Sequence, residues 1–207
     1  KEKVIEKLWP ESEPHLGDAS LRMALSQARQ VLGLGDHTVE SLVLKRGMVF
    51  LHPGIRVYTD YELFTSAARH ALQETDAYNP GSAYLLEQAA GLYQGDFLPD
   101  NIYDDWTAGL RARLYKLYLQ VLSKKIEFDR GQGKLFSAIE GCRRFLDKEP
   151  ADEAVCRTAM ELLWQTGQKQ QALSLYQTLQ AFMAKEYNAE PSAETIALYE
   201  KIKQGNH

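Results

Sequence analysis

The second half of the chain repeats one pattern of small residues at a spacing of 34 positions. Gly133 and Gly167 are 34 residues apart, and so are Ala138 and Ala172. A glycine can end one helix before the next begins, and an alanine lets a neighbouring helix approach closely. A repeat of this length holds a pair of helices, so the spacing predicts helical pairs that stack and bury a shared core.

The first copy of the repeat is typical of the second helix of a tetratricopeptide unit. It runs from Gly133 to Pro150, where the proline ends the unit. In the second copy Ala184 stands where the first has Pro150, so we expect its last helix to run longer. Arrays of such units are curved, and their concave face binds segments of other proteins.

Prolines punctuate the chain after Asp60, because they fall between segments of helical periodicity and never inside one. Proline lacks the backbone N–H that a helix interior needs, so each one marks a boundary. The pattern predicts helices at about 61–75, 81–93, 103–130, 134–147, 152–166, 168–187 and 192–204. The third is unusually long, and Lys124, Lys125 and Arg130 suit the C-terminal end of its dipole.

The first 59 residues have a different character. Residues 1–9 are expected to form a short helix that ends at Pro10. A second helix is expected to begin at Asp18 or Ser20. It should run to about Leu32, since its apolar positions fall on one helical face: Leu21, Leu25, Ala28 and Leu32.

Strand periodicity replaces helical periodicity after Leu42. The β-rich runs Leu42–Lys45, Val49–Leu51 and Ile55–Tyr58 are separated by short turns that contain glycine. They predict a small antiparallel hairpin or meander, and helix, connector, helix and hairpin is the order of a winged helix. The predicted fold class is therefore mainly α. It has a truncated winged helix (helix-turn-helix plus a small β-hairpin or meander), followed by an all-α tetratricopeptide-like helical array.

Net charge argues against a strongly basic nucleic-acid coat, because it is −4 for the whole chain. Residues 1–59 carry eight Lys and Arg against seven Asp and Glu, whereas the remaining residues carry 16 against 21. A near-neutral head on an acidic body fits a chain whose head approaches an anionic partner. A difference this small also arises by chance.

Other features of the sequence bear on the compartment and on the extent of the chain. Cys142 and Cys156 fit no metal or redox spacing and suit a reduced, cytoplasmic compartment. No window approaches the roughly 18 apolar residues that a membrane span needs, so no membrane partner is predicted. The chain begins with Lys1 rather than Met, inside an expected helix, and we therefore expect it to be part of a longer protein.

A scan for reactive groups finds none that converge. The five histidines show no metal-ligand spacing. The Gly131–Lys134 segment lacks the first glycine and the Ser or Thr of a phosphate loop. Asp104 and Asp105 are adjacent, and adjacent side chains on a helix point about 100° apart. The sequence therefore predicts a protein that is not an enzyme, with no catalytic residues, metal or cofactor.

The candidate functional residues all lie in the first 59 positions. The six candidates for DNA binding are Arg22, Ser26, Arg29, Gln30, Lys45 and Arg46. Ser26 and Gln30 lie on the face opposite the leucines of the second helix, with Met23, and Arg22 and Arg29 flank that face, with Gln27. Arg and Gln read base edges in a major groove, and Ser contacts a base or a phosphate. Lys45 and Arg46 lie at the tip of the first hairpin, where a wing touches phosphates. The alternatives are a solvated helix face and an exposed charged turn that discourages strand pairing.

Several longer segments resemble the antibiotic-regulatory-protein class of bacterial transcription activators. In the first part of the chain these are Glu2–Glu11, Leu21–Gly33 and Thr59–Phe64. In the second part the similar segments match the bacterial transcriptional activator domain of that class: Leu92–Asp100, Trp106–Leu114, Gly133–Pro150, positions within Glu153–Tyr176, and Pro191–Thr195. The resemblance covers essentially the whole chain.

The resemblance implies a winged helix-turn-helix of the response-regulator type, followed by a helical activator domain. By position, residues 1–9 would be its second helix, 18–32 its recognition helix and 42–58 its wing. Members of the family bind promoter DNA through the recognition helix and the wing, often as dimers on direct repeats, and recruit RNA polymerase. This chain lacks the family's opening strands and first helix. Its Ser26–Gln30 segment has two arginines fewer than the usual Ser-Arg-Leu-Arg-Arg, so lower DNA affinity and a shallower salt dependence are expected.

The sequence thus predicts two domains and one function. Residues 1–59 are a partial winged helix-turn-helix DNA-binding domain, and residues 60–207 are a tetratricopeptide-like bacterial transcriptional activator domain. The chain is predicted to be a cytoplasmic, DNA-binding transcriptional activator. Its predicted partners are double-stranded promoter DNA, RNA polymerase or another protein, and a second copy of itself in a homodimer. The alternative is a helical-repeat scaffold for protein interaction that does not bind DNA.

Overall fold

The computed structural model describes residues 1–31, 42–52, 54, 56–74, 79, 81–101 and 105–205. Contacts divide the chain into two compact units, Lys1–Thr59 and Asp60–His207. The first unit holds helices α1 (Glu2–Leu8) and α2 (Pro14–Val31) and strands β1 (Leu42–Lys45) and β2 (Met48–Leu51).

Helix α2 begins at Pro14, four residues before the predicted start at Asp18. A proline is tolerated at the first position of a helix, because its missing N–H would have no partner there. Gly17 therefore lies inside the helix, and it allows the helix to pack against α1. A Cβ at that position would lie 2.5 Å from Ile5 Cγ2. The predicted end of the helix at Leu32 lies outside the described residues.

Strands β1 and β2 pair in antiparallel register from Leu42↔Leu51 to Lys45↔Met48. The two-residue turn between them is Arg46–Gly47, with φ of 52° and 75°. Positive φ at both positions is the geometry whose twist matches that of a hairpin. Arg56–Tyr58, from the third predicted β-rich run, form no strand among the described residues, and Ile55 lies outside them. In the described part of the first unit the sheet is therefore the two-stranded hairpin.

The second unit is a succession of helices, in which each packs on the next along the chain. In the described part of the chain they are α3 (Asp60–Glu74), α4 (Gly81–Leu92), a single 3₁₀ turn (Pro99–Asn101), α5 (Asp105–Gly131), α6 (Leu135–Leu146), α7 (Glu153–Gln165), α8 (Lys169–Tyr187) and α9 (Ala193–Gln204). The predicted helix boundaries that fall on described residues agree with these bounds to within about two residues, whereas the predicted end at 75 and start at 103 lie outside the described residues.

The glycines and alanines of the 34-residue pattern have the roles predicted for them, as helix ends and as positions of close helix packing. Gly133 and Gly167 both adopt positive φ, at 69° and 78°, directly after α5 and α7. Ala138 and Ala172 are fully buried, where α6 and α8 pack against neighbouring helices. Helix α8 has 19 residues against 12 in α6, as the missing proline predicted. The fold class is confirmed: a small winged-helix-type unit followed by a tetratricopeptide-like helical array.

One assignment on the long helix was wrong. Lys125 was expected to interact with the C-terminal dipole of α5, but it is 7% exposed and lies in the core. Its Nζ lies 2.5 Å from Asp129 Oδ2 and donates to Ser137 Oγ at 2.9 Å. Asp129 is itself 2% exposed and also accepts from Ser137 at 2.6 Å. A buried cation needs such a partner. Both charges of the ion pair belong to α5, and the Ser137 hydroxyl connects the pair to α6.

Candidate nucleic-acid interface

Helix α2 presents a polar face opposite its buried leucines. Leu21 and Leu25 are 2% and 7% exposed and form the inner face of the helix. Arg22, Ser26 and Gln30 are exposed. They follow one another at intervals of four residues, so they form one line along the outer face of the helix. Three of the four predicted helix residues thus lie together on an open surface.

Arg29 has a different environment from the other predicted residues. It is half-buried, and its Nε donates a hydrogen bond of 2.8 Å to the carbonyl oxygen of Leu42. Leu42 is the first residue of β1, so this bond connects α2 to the hairpin. The sequence grouped Arg29 with the outward face because it could not show where β1 would lie.

The hairpin carries two adjacent cations at its tip. Lys45 ends β1 and Arg46 is the first turn residue, and both are exposed. Arg46 adopts a left-handed backbone conformation that favours glycine or asparagine. Keeping a charged residue in a conformation that costs free energy fits a role for its side chain outside the unit.

An ion pair connects Lys1, the residue before α1, to α2. Lys1 Nζ lies 3.0 Å from Asp18 Oδ2. The hydrogen bond to Asp18 raises the pKa of Lys1 above its ordinary value, with its burial acting in the opposite direction. This contact and the close approach of Gly17 to Ile5 both connect α2 to the segment that begins with α1.

In the helical unit, the Tyr93–Pro99 segment forms a loop held by one arginine. Arg111 of α5 donates from Nε to the Phe97 carbonyl at 3.1 Å and from Nη2 to the Leu98 carbonyl at 3.2 Å. The same Nη2 contacts Thr107 at 3.1 Å. Leu98 has φ of 48°, a conformation that an L-residue adopts only when its surroundings require it. Arg111 therefore connects the loop to α5 at two successive carbonyl groups.

Glu153 plays a similar part at the C-terminal end of the unit. Its Oε2 accepts hydrogen bonds from the Ser192 backbone N–H (2.8 Å), the Ser192 hydroxyl (2.6 Å) and the Thr195 hydroxyl (2.5 Å). These groups begin α9, so a carboxylate of α7 satisfies donors at its N-terminus. Partial burial raises the pKa of Glu153. The hydrogen bonds from Ser192 and Thr195 and the charge of Arg157 outweigh that effect and leave the pKa below its usual value.

A groove of about 350 Å³ lies between α6, α7 and α8. Its apolar lining includes Ile139, Leu146, Ala159, Leu163 and Leu175. At its rim Arg143 donates to Gln171 Oε1 at 3.0 Å. An apolar channel with a polar rim is a surface on which a peptide segment can dock.

Among the described residues, the cysteine thiols are buried, and the side chains that could bind a metal ion lie apart from one another. Burial raises the pKa of the Cys142 and Cys156 thiols to about 12, so both are protonated at neutral pH. Within the described ranges, no group of three or more His, Cys, Asp and Glu side chains could hold a metal ion. In the same part of the chain, no helix is long and apolar enough to cross a membrane.

A helix pair with a β-hairpin, followed by stacked helical pairs, is the architecture of a bacterial transcriptional regulator. The chain belongs to the bacterial transcriptional activator domain family, which matches residues 59–203.

The chain is similar to two regulatory proteins and to one solved structure. The regulatory protein AfsR of Streptomyces coelicolor is 26% identical over 204 residues, which is 98% of this chain and 20% of AfsR. The regulatory protein AfsR of Streptomyces griseus is 24% identical over 200 residues, or 96% of this chain and 20% of that relative. The chain thus spans about a fifth of the length of these relatives.

The solved structure is that of Mycobacterium tuberculosis EmbR in complex with a low-affinity phosphopeptide. It superposes with a TM-score of 0.62 at 18% identity, over 98% of this chain and 54% of EmbR. At this identity the likeness shows the fold, in which a winged-helix unit precedes a helical one. The family match, and not this likeness, places the chain in a class of regulatory proteins.

Proposed function

We propose that the first unit binds double-stranded promoter DNA and that the chain acts as a transcriptional activator. The observation that carries this proposal is the line of Arg22, Ser26 and Gln30 along the open face of α2. A helix with this composition fits a major groove, where Arg and Gln read base edges and Ser contacts a base or a phosphate.

The hairpin supplies the second contact in this proposal. Lys45 and Arg46 bind phosphates beside the groove that α2 enters, as a wing does. Arg29 contributes by holding β1 against α2 through the carbonyl of Leu42. Five of the six predicted residues thus touch DNA, and Arg29 orients the hairpin that carries two of them.

Fluorescence anisotropy tests the proposal, with a labelled duplex from the region upstream of the protein's own gene and a random duplex of equal length. We expect tighter binding to the upstream duplex and affinity that falls as salt rises. Arg22→Ala should weaken binding by about 1–3 kcal/mol. Arg69→Ala is the matched control, because Arg69 is an exposed arginine of the helical unit. Equal losses in the two variants, or unchanged affinity in both, would show that α2 does not read DNA.

We also propose that the helical unit docks a protein: RNA polymerase, another regulator or a second copy of the chain. The groove between α6, α7 and α8 supports this role. Leu175→Glu would place a charge in the groove, and its effect on promoter activation should exceed its effect on DNA binding. Sedimentation of the same variant tests dimerisation, since a dimer that uses the groove would dissociate.

The second candidate function is a protein-interaction scaffold that does not bind DNA. The observation in its favour is the small number of cations on α2, where Arg22 is the exposed arginine of the outer face. Absence of DNA binding at low salt, together with retained protein docking, would favour it over the activator.

A further inference from the structure

The Tyr93–Pro99 loop encloses a pocket of about 450 Å³ at the start of α3. Its walls are Asp60, Tyr61, Phe64, Leu92, the loop residues Tyr93 to Pro99, and Leu114. Four of these side chains are aromatic rings. Tyr61 and Phe97 meet edge to face with centroids 6.3 Å apart, and Phe64 and Tyr93 are tilted at 5.3 Å.

Contacts from α5 hold the loop and its rings in place. Tyr93 stacks on Tyr118 of α5, with centroids 4.3 Å apart. Arg111 fixes the carbonyl groups of Phe97 and Leu98. A pocket whose walls are already ordered loses little conformational entropy when a ligand enters.

The charged side chains that line this pocket are negative, while the cation of Arg111 is engaged by the Phe97 and Leu98 carbonyl groups. Asp60 and Asp96 are exposed carboxylates among its walls, and the described residues that line it include no lysine, arginine or histidine. The Tyr93 hydroxyl donates to Asp96 Oδ1 at 3.0 Å, which orients that carboxylate. Burial, with the hydrogen bond and charge of Asp96, raises the pKa of Tyr93, so its phenol stays a protonated donor. The unit as a whole carries 21 acidic groups against 16 basic ones.

Aromatic faces and carboxylates together define the ligand chemistry. A cation is attracted by the negative face of a ring and by a carboxylate at its edge. Among biological cations, guanidinium is planar, stacks on rings and pairs with a carboxylate through two parallel hydrogen bonds. The volume exceeds what one such group fills, so there is room for the rest of a side chain.

We propose that this pocket binds an arginine side chain presented by a partner polypeptide. The proposal rests on the protein-docking role proposed above for the helical unit. It adds the chemistry of the partner: an exposed arginine enters between Tyr61, Tyr93 and Phe97, with its guanidinium group against Asp96. The remaining charge of the unit draws basic segments toward it.

The test uses the ¹⁵N-labelled full chain and the tripeptide acetyl-Ala-Arg-Ala-amide. We expect saturable shifts of the Gly95, Asp96 and Phe97 amides, with a dissociation constant on the order of 1 mM. Replacing the arginine by citrulline keeps its shape and removes its charge, and it should weaken binding by about five-fold or more. Equal binding of the two peptides, or no saturable shift at these amides, would overturn the proposal.

Two variants of the chain test the role of Asp96, and two other cations test the choice of arginine as the ligand. Asp96→Asn keeps an acceptor for Tyr93 and should weaken binding by about five-fold, whereas Glu140→Gln on the exposed side of α6 should not. Melting temperatures show whether each variant is folded. If Asp96→Asn unfolds, the citrulline comparison on the unaltered chain decides. A lysine peptide that binds equally well would overturn the choice of arginine, and free guanidinium that binds as tightly as the peptide would overturn a polypeptide source. Docking by the helical unit is tested separately with Leu175→Glu at the groove between α6, α7 and α8, so failure of the arginine peptide to bind leaves that proposal unaffected.

Discussion

The Nε of Arg29 lies 2.8 Å from the carbonyl oxygen of Leu42, although the two residues belong to different elements of the first unit. The Arg29 side chain therefore holds the hairpin against α2 through a hydrogen bond to the backbone of β1. The bond requires Nε at one position, so charge alone cannot replace it.

We predict that Arg29→Lys will loosen the hairpin even though it conserves the charge. Lysine has no group that reproduces the Nε geometry, so amide hydrogen exchange in β1 and β2 should become faster. Arg22→Lys is the matched control, because Arg22 lies on the outer face of α2 and should leave that exchange unchanged. Full protection of the hairpin in Arg29→Lys would show that the Leu42 contact contributes nothing to its order.

Arg46→Asn is predicted to change stability and DNA affinity in opposite directions. Asparagine tolerates the positive φ of 52° better than arginine, so the free energy of unfolding should rise by a few tenths of a kcal/mol. Loss of a phosphate contact should lower DNA affinity and reduce the slope of log K against log salt by about 1.

Arg46→Ala separates these two effects of the turn residue. It removes the same charge without the gain in the turn, so it should lower affinity equally and not raise stability. A salt slope unchanged in both variants would place the wing away from the phosphates.

Lys125→Met is predicted to destabilise the helical unit by about 3–5 kcal/mol, because it leaves the carboxylate of Asp129 buried without its cation. The double variant Lys125→Met with Asp129→Leu should recover most of that loss, since an apolar pair of similar volume replaces the ion pair. Urea unfolding of the two single variants and the double variant measures the coupling. Additive losses would mean that the two charges do not stabilise each other.

Glu153 is predicted to make stability depend on acidic pH. Because its folded pKa lies below the ordinary 4.5, its contribution is fully present above about pH 4.5 and is lost as the pH falls through the lowered folded value. Glu153→Gln should lower the free energy of unfolding at neutral pH by about 1–3 kcal/mol and flatten its decline in acid. Glu190→Gln, at an exposed position just before Pro191, should do neither.

Much of the helical unit could be predicted because its signals are local. Proline is excluded from helix interiors because it lacks the backbone N–H, and the glycines at 133 and 167 adopt the positive φ that their position implied. The start of α2 was missed for a non-local reason. Gly17 reads as a connector residue until Ile5 is known to pack against it.

In the candidate site, too, the features set by local sequence patterns could be predicted, and the contacts between separate elements could not. The outward face of α2 follows from the period of Leu21 and Leu25, so exposure of Arg22, Ser26 and Gln30 could be predicted. The contact of Arg29 with Leu42, and that of Arg111 with the loop at Phe97, depend on where separate elements meet. No spacing along the chain encodes them. Lys125 was misassigned because a cation near a helix end is usually solvated, and its partner Ser137 lies on another helix.

The two buried thiols can be used to detect opening of the helical core. Cys142 lies on α6 and Cys156 on α7, and neither reacts while it is protonated and enclosed. An alkylating reagent can therefore modify them only while the helices are separated. When reclosing is faster than alkylation, the rate of labelling measures the population of the open state; at high reagent concentration it measures the opening rate. Mass spectrometry of the modified peptides would tell whether the two helices part together or one before the other, without any introduced probe.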